Sequence, residues 1–438
     1  MERIKRYLRS AAGYQAVCAK WLVLAALVTC LVVFVFPLFL LGTVTPSLAR
    51  YCVEKKEETG GIVGRLGAAN TIGSILGTFL PTFLTIPALG TNLTFLLFAG
   101  ILLVLSLVYF AAGGGNRKKL ALGAGIFLAA CVLGHSTSFA FWEDPAKIKY
   151  EGESTYNYLQ VREEPDSLVL STNVLFGVQS IKMKQEGLTG MYYDVALAAP
   201  YMARIREKKD PELLILGMGT GTYAHQCRRY FRITGVEIDP QITALARTWF
   251  SLPPDIPVTA YDGRAYLNGD RKKYDLIMVD AYQDITIPFS MSSVEFFQSV
   301  REHLKPGGVM VLNMNMKGSV PGSLNDYLAD TVASVFPAVY TADVPQATNR
   351  ELFAGMEEDL ADNLEKQGKR EKNPELRLLM EQTEQRLMPY HPGPYRLTDN
   401  RAPVELLGMR TIDTLIHQEL GNYRELLKQK GIRGVLGE

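Results

Sequence analysis

The sequence predicts an α/β protein: a parallel sheet preceded by a small β subdomain and by four membrane-spanning helices. Three observations support this prediction. Residues 66–116 contain no charged side chain. An apolar run, Glu212–Leu216, is typical of a buried parallel strand and ends in the glycine-rich turn Gly217–Gly221. The next apolar run ends at an acidic residue, Glu237, twenty residues after Gly217.

Composition separates a membrane-type N-terminal part from a soluble part. Of the 438 residues, 1–146 carry a net charge of +6 and 147–438 carry −5. Nucleic acid is therefore not the expected main partner, because phosphate binding requires clustered Lys and Arg. The five cysteines form no CxxC pair and have no histidine at ligand spacing, so we expect no metal site.

Residues 1–146 are predicted to form a transmembrane region. Uncharged runs of about 20 residues are long enough to cross a bilayer, and the four spans are expected at about 22–48, 66–87, 91–112 and 120–142. Pro87–Asn92 is expected to form the turn between the second and third spans. If the N-terminus is cytoplasmic, seven Lys and Arg lie on each side, so the positive-inside rule does not decide the orientation. We expect a multi-pass integral protein of the plasma membrane.

Residues 147–206 are predicted to form a small antiparallel β subdomain and a connecting helix. The runs Tyr156–Val161 and Ser167–Ser171 alternate apolar and polar residues, which is typical of half-buried strands. The connecting helix is expected at about 192–207.

Residues 207–438 are predicted to form the nucleoside-binding domain with a C-terminal helical extension. Glu357–Arg386 is dense in both signs of charge and is expected to be a solvated helical excursion. Arg410–Lys430 is an amphipathic stretch that either covers the sheet or forms a subunit contact, which leaves a homodimer open.

The glycine turn and the acid after it indicate a nucleoside site. Glycines let a backbone approach a ligand closely, and the helix N-terminus after the turn presents free N–H groups. An acid about twenty residues further on can accept hydrogen bonds from both ribose hydroxyls. NAD and S-adenosylmethionine satisfy these conditions equally. Thr222, where a dinucleotide site needs a third glycine, and Asp262-Gly263 after the third strand favour a Rossmann-like sheet of the S-adenosylmethionine methyltransferase type.

A further carboxylate is expected in the same crevice. Asp280 follows the strand Tyr274–Val279, and ligands of open parallel sheets bind beyond the carboxyl ends of the strands. Asp284 lies one short loop further on. Leu304–Gly308 is expected to be a tight turn before a fifth strand, Val309–Asn313.

Several motifs together resemble the spermidine synthase (polyamine aminopropyltransferase) family, and most closely its membrane-fused branch. The resemblance covers about residues 148–315 and 398–405. The motifs are Glu153–Tyr156, Gly177–Ser180, Thr189–Asp194, the glycine turn, Val236–Asp239, Asp262-Gly263, Asp280–Tyr282, Ile287-Pro288 and Glu295–Phe297.

The resemblance implies an enzyme that transfers an aminopropyl group from decarboxylated S-adenosylmethionine to a putrescine-like amine and releases methylthioadenosine. Asp280 would be the catalytic carboxylate. The donor would be bound by Gly217, Gly219, Thr220, Gly221, Glu237 (ribose), Asp262 (adenine) and Gly263. The amine substrate would contact Tyr192, Gln179, Asn157, Tyr282 and Asp284.

The chemistry of the reaction agrees with these roles. The nucleophile must be a neutral amine, and an alkylamine with a pKa of about 10.4 lies roughly three units above neutral pH, which costs about 4 kcal/mol. A carboxylate that accepts the proton offsets part of this cost as a general base. A cytosolic donor also indicates that the soluble part faces the cytoplasm.

The sequence departs from the family at four positions. Thr220 stands where the soluble enzymes have Asp, Asn157 and Tyr193 stand where glutamines are expected, and the second catalytic-loop Asp falls on Gln283. Two alternatives therefore stay open. One is methyl transfer from ordinary S-adenosylmethionine to a membrane-proximal acceptor. The other is a non-catalytic nucleoside-binding domain that regulates a membrane partner.

Overall fold

The computed structural model describes residues 27–53, 58–112, 117–136, 144–172, 178–281, 288–315 and 321–410. The chain divides into two compact units. One comprises the described residues up to Thr94, and the other comprises those from Phe95 onward.

The N-terminal region contains two helices that are long and apolar enough to cross a membrane, Leu27–Cys52 and Thr59–Ala111. The second has 53 residues, or roughly 80 Å of helix, more than twice a hydrocarbon core. Gly90 interrupts it with a positive φ of 81°, inside the turn predicted between the second and third spans. Among the described residues these two helices meet the criteria for a membrane span, and the four predicted spans are not shown. The helices of this region are α1 (Leu27–Cys52), α2 (Thr59–Leu80), α3 (Ile86–Ala112) and α4 (Arg117–Ser136).

A four-stranded antiparallel sheet follows, with its strands in chain order. Both runs predicted as strands are found here, and each gains a neighbour at the edge of the sheet. Leu159, Val161 and Leu170 are fully buried and form a small core with Phe250 of the next domain. The strands are β1 (Ile148–Glu153), β2 (Tyr158–Glu163), β3 (Ser167–Ser171) and β4 (Ser180–Met183).

The larger sheet has eight strands in the order β12-β10-β11-β9-β8-β5-β6-β7. Strands β9, β8, β5, β6 and β7 are parallel, and β11, β10 and β12 extend the sheet antiparallel at one side. The predicted Rossmann-like sheet is therefore present. The strands are β5 (Glu212–Leu216), β6 (Arg232–Glu237), β7 (Val258–Ala260), β8 (Tyr274–Val279), β9 (Leu304–Met314), β10 (Ala338–Asp343), β11 (Arg350–Gly355) and β12 (Met388–Pro389).

Helices cover both faces of this sheet. Leu213 and Ile215 of β5 pack into one core and Leu214 and Leu216 into the other, which explains the uninterrupted apolar run. The helices are α5 (Tyr192–Ala196), α6 (Ala198–Met202), α7 (Thr222–Cys227), α8 (Pro240–Thr248), α9 (Gly263–Gly269), α10 (Val294–Glu302), α11 (Leu324–Ala333), α12 (Leu360–Lys369) and α13 (Pro374–Arg386).

Two predicted elements are corrected by the structure. The tight turn expected at Leu304–Gly308 lies inside β9, where a register shift and the positive φ of Gly307 accommodate it. The stretch Glu357–Arg386 is helical as predicted but is not fully solvated, because Leu364 and Met380 pack into the core. The stretch Arg410–Lys430 lies beyond the described residues except for Arg410.

Candidate active site

The glycine turn connects β5 to α7 at the carboxyl edge of the sheet. Gly217, Gly219 and Gly221 all have positive φ, at 90°, 53° and 86°. A Cβ atom on Gly217 would collide with the main-chain carbonyl of Asp280, whose N–H donates to the carbonyl oxygen of Leu216 at 2.8 Å. Glycine is therefore required where the two neighbouring strand ends meet.

Glu237 ends β6 and supports this turn. Its Oε2 accepts a hydrogen bond from the N–H of Gly219 at 2.8 Å, and Oε1 accepts one from the N–H of Asp239 at 3.1 Å. Only 7% of the side chain is exposed, and burial raises the pKa of its carboxyl above the usual range. One carboxylate thus bridges the ends of β5 and β6.

Asp262 follows β7 and is the N-cap of α9. Its Oδ1 accepts a hydrogen bond from the N–H of Ala265 at 2.8 Å. Asp262, which is predicted to bind the adenine, is therefore also a helix cap.

Asp280 follows β8, and two side chains hold its carboxylate. Tyr192 donates from its hydroxyl to Oδ2 at 2.7 Å, and Asn313 donates from Nδ2 to Oδ1 at 2.9 Å. Burial, with a contribution from the charge of Glu237, raises the pKa of Asp280 to about 7, although both hydrogen bonds oppose this shift. A carboxyl with this pKa can accept a proton at neutral pH and release it again.

Tyr193 forms part of one wall of the site, and Tyr192 packs against it. The two ring centroids lie 4.0 Å apart, and the hydroxyl of Tyr193 donates to the main-chain carbonyl of Gln179 at 3.0 Å. Burial raises the pKa of both phenols, so both are neutral donors at physiological pH. The wall therefore presents aromatic surface and no charge.

These elements enclose a cavity of about 200 Å³. Glu237, Asp262 and Asp280 all line this cavity. The carboxylate predicted to bind the ribose and the carboxylate predicted to be catalytic therefore face the same space. No Lys, Arg or His is among the described residues that line this cavity. It therefore favours a cationic ligand over an anionic one.

Most of the predicted site residues meet here. Those that line the cavity are Gly217, Gly219, Glu237, Asp262, Gly263, Asp280, Gln179 and Asn157. Thr220 and Gly221 belong to the same turn but do not line it, and Tyr192 lies behind its wall, bonded to Asp280. Tyr282 and Asp284 lie outside the described residues.

Three further hydrogen bonds change how the predicted residues Asn157 and Thr220 are understood. Asn157 donates from Nδ2 to Oδ2 of Asp239 at 3.1 Å, so this side chain also ties the β1–β2 turn to the N-terminus of α8. Ser154 donates to the same oxygen at 2.5 Å. Thr220, where the family has Asp, is 1% exposed, and its N–H donates to Oγ of Ser180 at 3.2 Å.

Asn313 was not singled out from the sequence. It lies near the carboxyl end of β9, beside Asp280 at the end of β8, and its own Oδ1 accepts a hydrogen bond from Asn349 at 2.9 Å. The signal was present, because a polar residue near the end of a predicted buried strand belongs at the ligand-binding edge.

Among the described residues, no group of three or more His, Cys, Asp or Glu side chains is placed to hold a metal ion.

The chain is similar in sequence to known polyamine aminopropyltransferases. The spermine/spermidine synthase domain matches residues 199–363. The "Probable polyamine aminopropyl transferase" of Bifidobacterium longum is 51% identical over 350 residues, covering 75% of this chain and 77% of that protein. The polyamine aminopropyltransferase of Vibrio vulnificus is 27% identical over 222 residues, covering 48% and 72%. A spermidine synthase solved with the transition-state analogue AdoDATO superposes with a TM-score of 0.44 at 20% identity, covering 52% and 80%.

Proposed function

The chain belongs to the polyamine aminopropyltransferase family, and we propose that it transfers an aminopropyl group from decarboxylated S-adenosylmethionine to a putrescine-like amine at a membrane. The observation that carries this proposal is the charge of the cavity. Three carboxylates line it, and none of the described residues around it is basic. Both substrates of such a reaction are cations, a sulfonium and an amine. The family assignment and the cavity thus agree on the class of ligand.

The same charge pattern supports the decarboxylated donor over ordinary S-adenosylmethionine. The ordinary form carries a carboxylate next to its amine, which would lie among Glu237 and Asp280. Juxtaposed like charges cost several kcal/mol in an interface. Decarboxylation removes that repulsion and leaves a ligand whose only charged groups, a sulfonium and an ammonium, are both positive.

Asp280 is proposed as the general base. The donor supplies an electrophilic carbon on a positively charged sulfur, so the reaction needs alignment more than covalent assistance. As the amine nitrogen forms its bond to that carbon and the carbon–sulfur bond breaks, Asp280 accepts the proton that the amine loses. Tyr192 and Asn313 hold the two carboxylate oxygens in place through their hydrogen bonds.

The membrane part is proposed to be a multi-pass anchor that keeps this domain at the cytoplasmic face. Support comes from two apolar helices of spanning length and from the break at Gly90 in the longer one. A 53-residue apolar helix has enough length for two passes. The cytoplasmic orientation rests on the donor, which is a cytosolic metabolite.

Isothermal titration of the full-length protein in detergent tests the proposed donor. Decarboxylated S-adenosylmethionine should bind at least about tenfold more tightly than the ordinary form, because only the latter carries a carboxylate into the acidic cavity. Glu237→Gln should weaken binding of the decarboxylated form. The matched control is Glu371→Gln, which changes a buried acid away from the cavity and should leave donor affinity unchanged.

Equal or tighter binding of ordinary S-adenosylmethionine would reject the aminopropyl donor and support methyl transfer. If neither form bound, the domain would not be an enzyme of this class, and the non-catalytic alternative would stand. Mass analysis of the nucleoside released during turnover then separates methylthioadenosine from S-adenosylhomocysteine.

A further inference from the structure

A strongly basic edge lies opposite the active site. Parallel strands begin at one edge of a sheet and end at the other, and every acid of the cavity follows a strand's carboxyl end. The segments that lead into β5, β6 and β8, which are adjacent in the sheet, carry more Lys and Arg than Asp and Glu. We call the following residues the basic edge: Lys209, Arg228, Arg229, Arg271, Lys272 and Lys273.

The six side chains are on the surface, and one of them, Arg229, also lies over the ring of Tyr230 at 6.0 Å from its centroid. All are exposed, and none forms an ion pair with another described residue. Nearby basic residues are already used within the fold, since Lys208 and Lys305 both pair with the buried carboxylate of Asp275, at 3.2 and 2.8 Å. The basic edge is thus surplus positive charge.

This clustering is not a consequence of composition. Residues 147–438 carry a net charge of −5, so an average surface of this part would be slightly acidic. The domain is instead polarised, with carboxylates around the cavity and cations at the other end of the same three strands. Strand β5, with five residues, spans roughly 17 Å between the two edges.

We propose that the basic edge docks on the anionic headgroups of a lipid bilayer. Clustered Lys and Arg near a membrane surface are attracted to anionic lipids, each strengthening binding about fivefold within a Debye length of the surface. A bilayer is favoured over other polyanions because the same chain carries two helices of spanning length, which keep the domain near headgroups.

This inference depends on the proposed membrane anchoring and not on the proposed reaction. The test uses full-length protein in nanodiscs of phosphatidylcholine alone or with phosphatidylglycerol added. A neutral amine-acylating reagent labels exposed lysines, and mass spectrometry measures the rate at each site. Aminopropyl transfer is assayed in the same discs, so loss of protection and loss of activity are separate results.

In phosphatidylglycerol discs at low salt, labelling of Lys209, Lys272 and Lys273 should slow at least about threefold, and salt of about 0.5 M should abolish the difference because it shortens the Debye length. Lys149 and Lys184 of the small sheet are internal controls whose labelling should be equal in both discs. Equal labelling of the basic edge in both discs would overturn the proposal, as would protection that requires added RNA.

A charge variant separates the basic edge from general electrostatic effects. The triple substitution Arg271→Gln, Lys272→Gln and Lys273→Gln should remove the protection of Lys209 in phosphatidylglycerol discs. The control, Arg377→Gln with Arg386→Gln, removes two exposed charges from α13 and should keep that protection. Protection of Lys209 that survives the triple substitution would also overturn the proposal.

Discussion

The hydroxyl of Tyr192 donates a 2.7 Å hydrogen bond to Oδ2 of Asp280, a residue 88 positions later in the chain. Tyr192 is the first residue of α5, and Asp280 follows β8. With Asn313 on Oδ1, both carboxylate oxygens have one neutral donor, so the carboxylate is oriented but not neutralised. Each oxygen keeps a lone pair for a substrate proton.

The pH dependence of turnover should report Asp280. Since burial raises its pKa to about 7, the protonated form dominates below that pH and cannot accept a proton from the amine. We expect kcat/KM at saturating donor to fall about tenfold per pH unit below about pH 7. A profile flat down to pH 5 would exclude Asp280 as the base.

Asp280→Asn should abolish turnover and leave the fold intact. Loss of a general base costs about 10²–10⁴-fold in rate, while donor affinity should change little. The folded protein binds the Asp280 proton more tightly than the unfolded chain, so ionisation destabilises the fold as pH rises from the ordinary carboxyl range through about 7. At pH 8 the variant should therefore have a Tm no lower than the wild type, measured by thermal shift.

Tyr192→Phe tests the hydrogen bond to Asp280. A donor to the ionised carboxylate lowers its pKa, so removing the hydroxyl should move the acid limb of the rate profile to higher pH. Tyr340→Phe is the control, because that hydroxyl donates to a main-chain carbonyl on the surface. Its profile should match the wild type; an unshifted profile in Tyr192→Phe would leave this tyrosine a packing role only.

Gly217→Ala should damage both stability and activity. The residue has a positive φ, and the added Cβ would push against the Asp280 carbonyl, so we expect a loss of at least about 2 kcal/mol in the free energy of unfolding. Gly187→Ala meets nothing within 4 Å and should stay within about 0.5 kcal/mol. Similar thermal shifts for the two variants would contradict the role of Gly217.

The burial of Glu351, an acidic residue, destabilises the fold. Glu351 lies opposite Asn313 in the β9–β11 pair, is fully buried, and neither carboxyl oxygen has a hydrogen-bond partner among the described residues. Burial raises the pKa of Glu351 well above its usual range. Replacing it with Met should raise the free energy of unfolding by about 1–3 kcal/mol, because an unpaired buried polar group is removed.

Asp330→Asn is the matched comparison for Glu351→Met. Asp330 is 1% exposed but accepts hydrogen bonds from the hydroxyl of Tyr390 and from the N–H groups of Gly393 and Tyr395. This variant should lower the Tm. If Glu351→Met instead lost turnover at unchanged Tm, Glu351 would have a part in the reaction.

The sequence predicted the strands around the site well because their signals are local. A run such as Glu212–Leu216 is typical of a buried parallel strand, and glycines and acids at strand ends mark the binding edge. The order of these signals brought Gly217, Glu237 and Asp280 to one cavity, as the structure shows.

Other features depend on contacts that no local pattern reveals. In β10 and β11, apolar and polar residues alternate too little to distinguish strands from a helix. Their assignment depends on the pairing of β11 with β9 and of β10 with β11. Asn157 was predicted to contact the amine substrate. Its hydrogen bond to Asp239, 82 positions later in the chain, could not be predicted from the sequence. The helices at 357–386 were predicted as solvated because their charges hide one apolar face.

The shortage of basic side chains around the cavity also bears on what happens after transfer. Once the aminopropyl group has left, sulfur is a neutral thioether, and the charge that faced Glu237 and Asp280 is gone. Attraction between the pocket and the spent nucleoside falls in the same step that makes the new bond. Methylthioadenosine should consequently dissociate readily and be a weak product inhibitor.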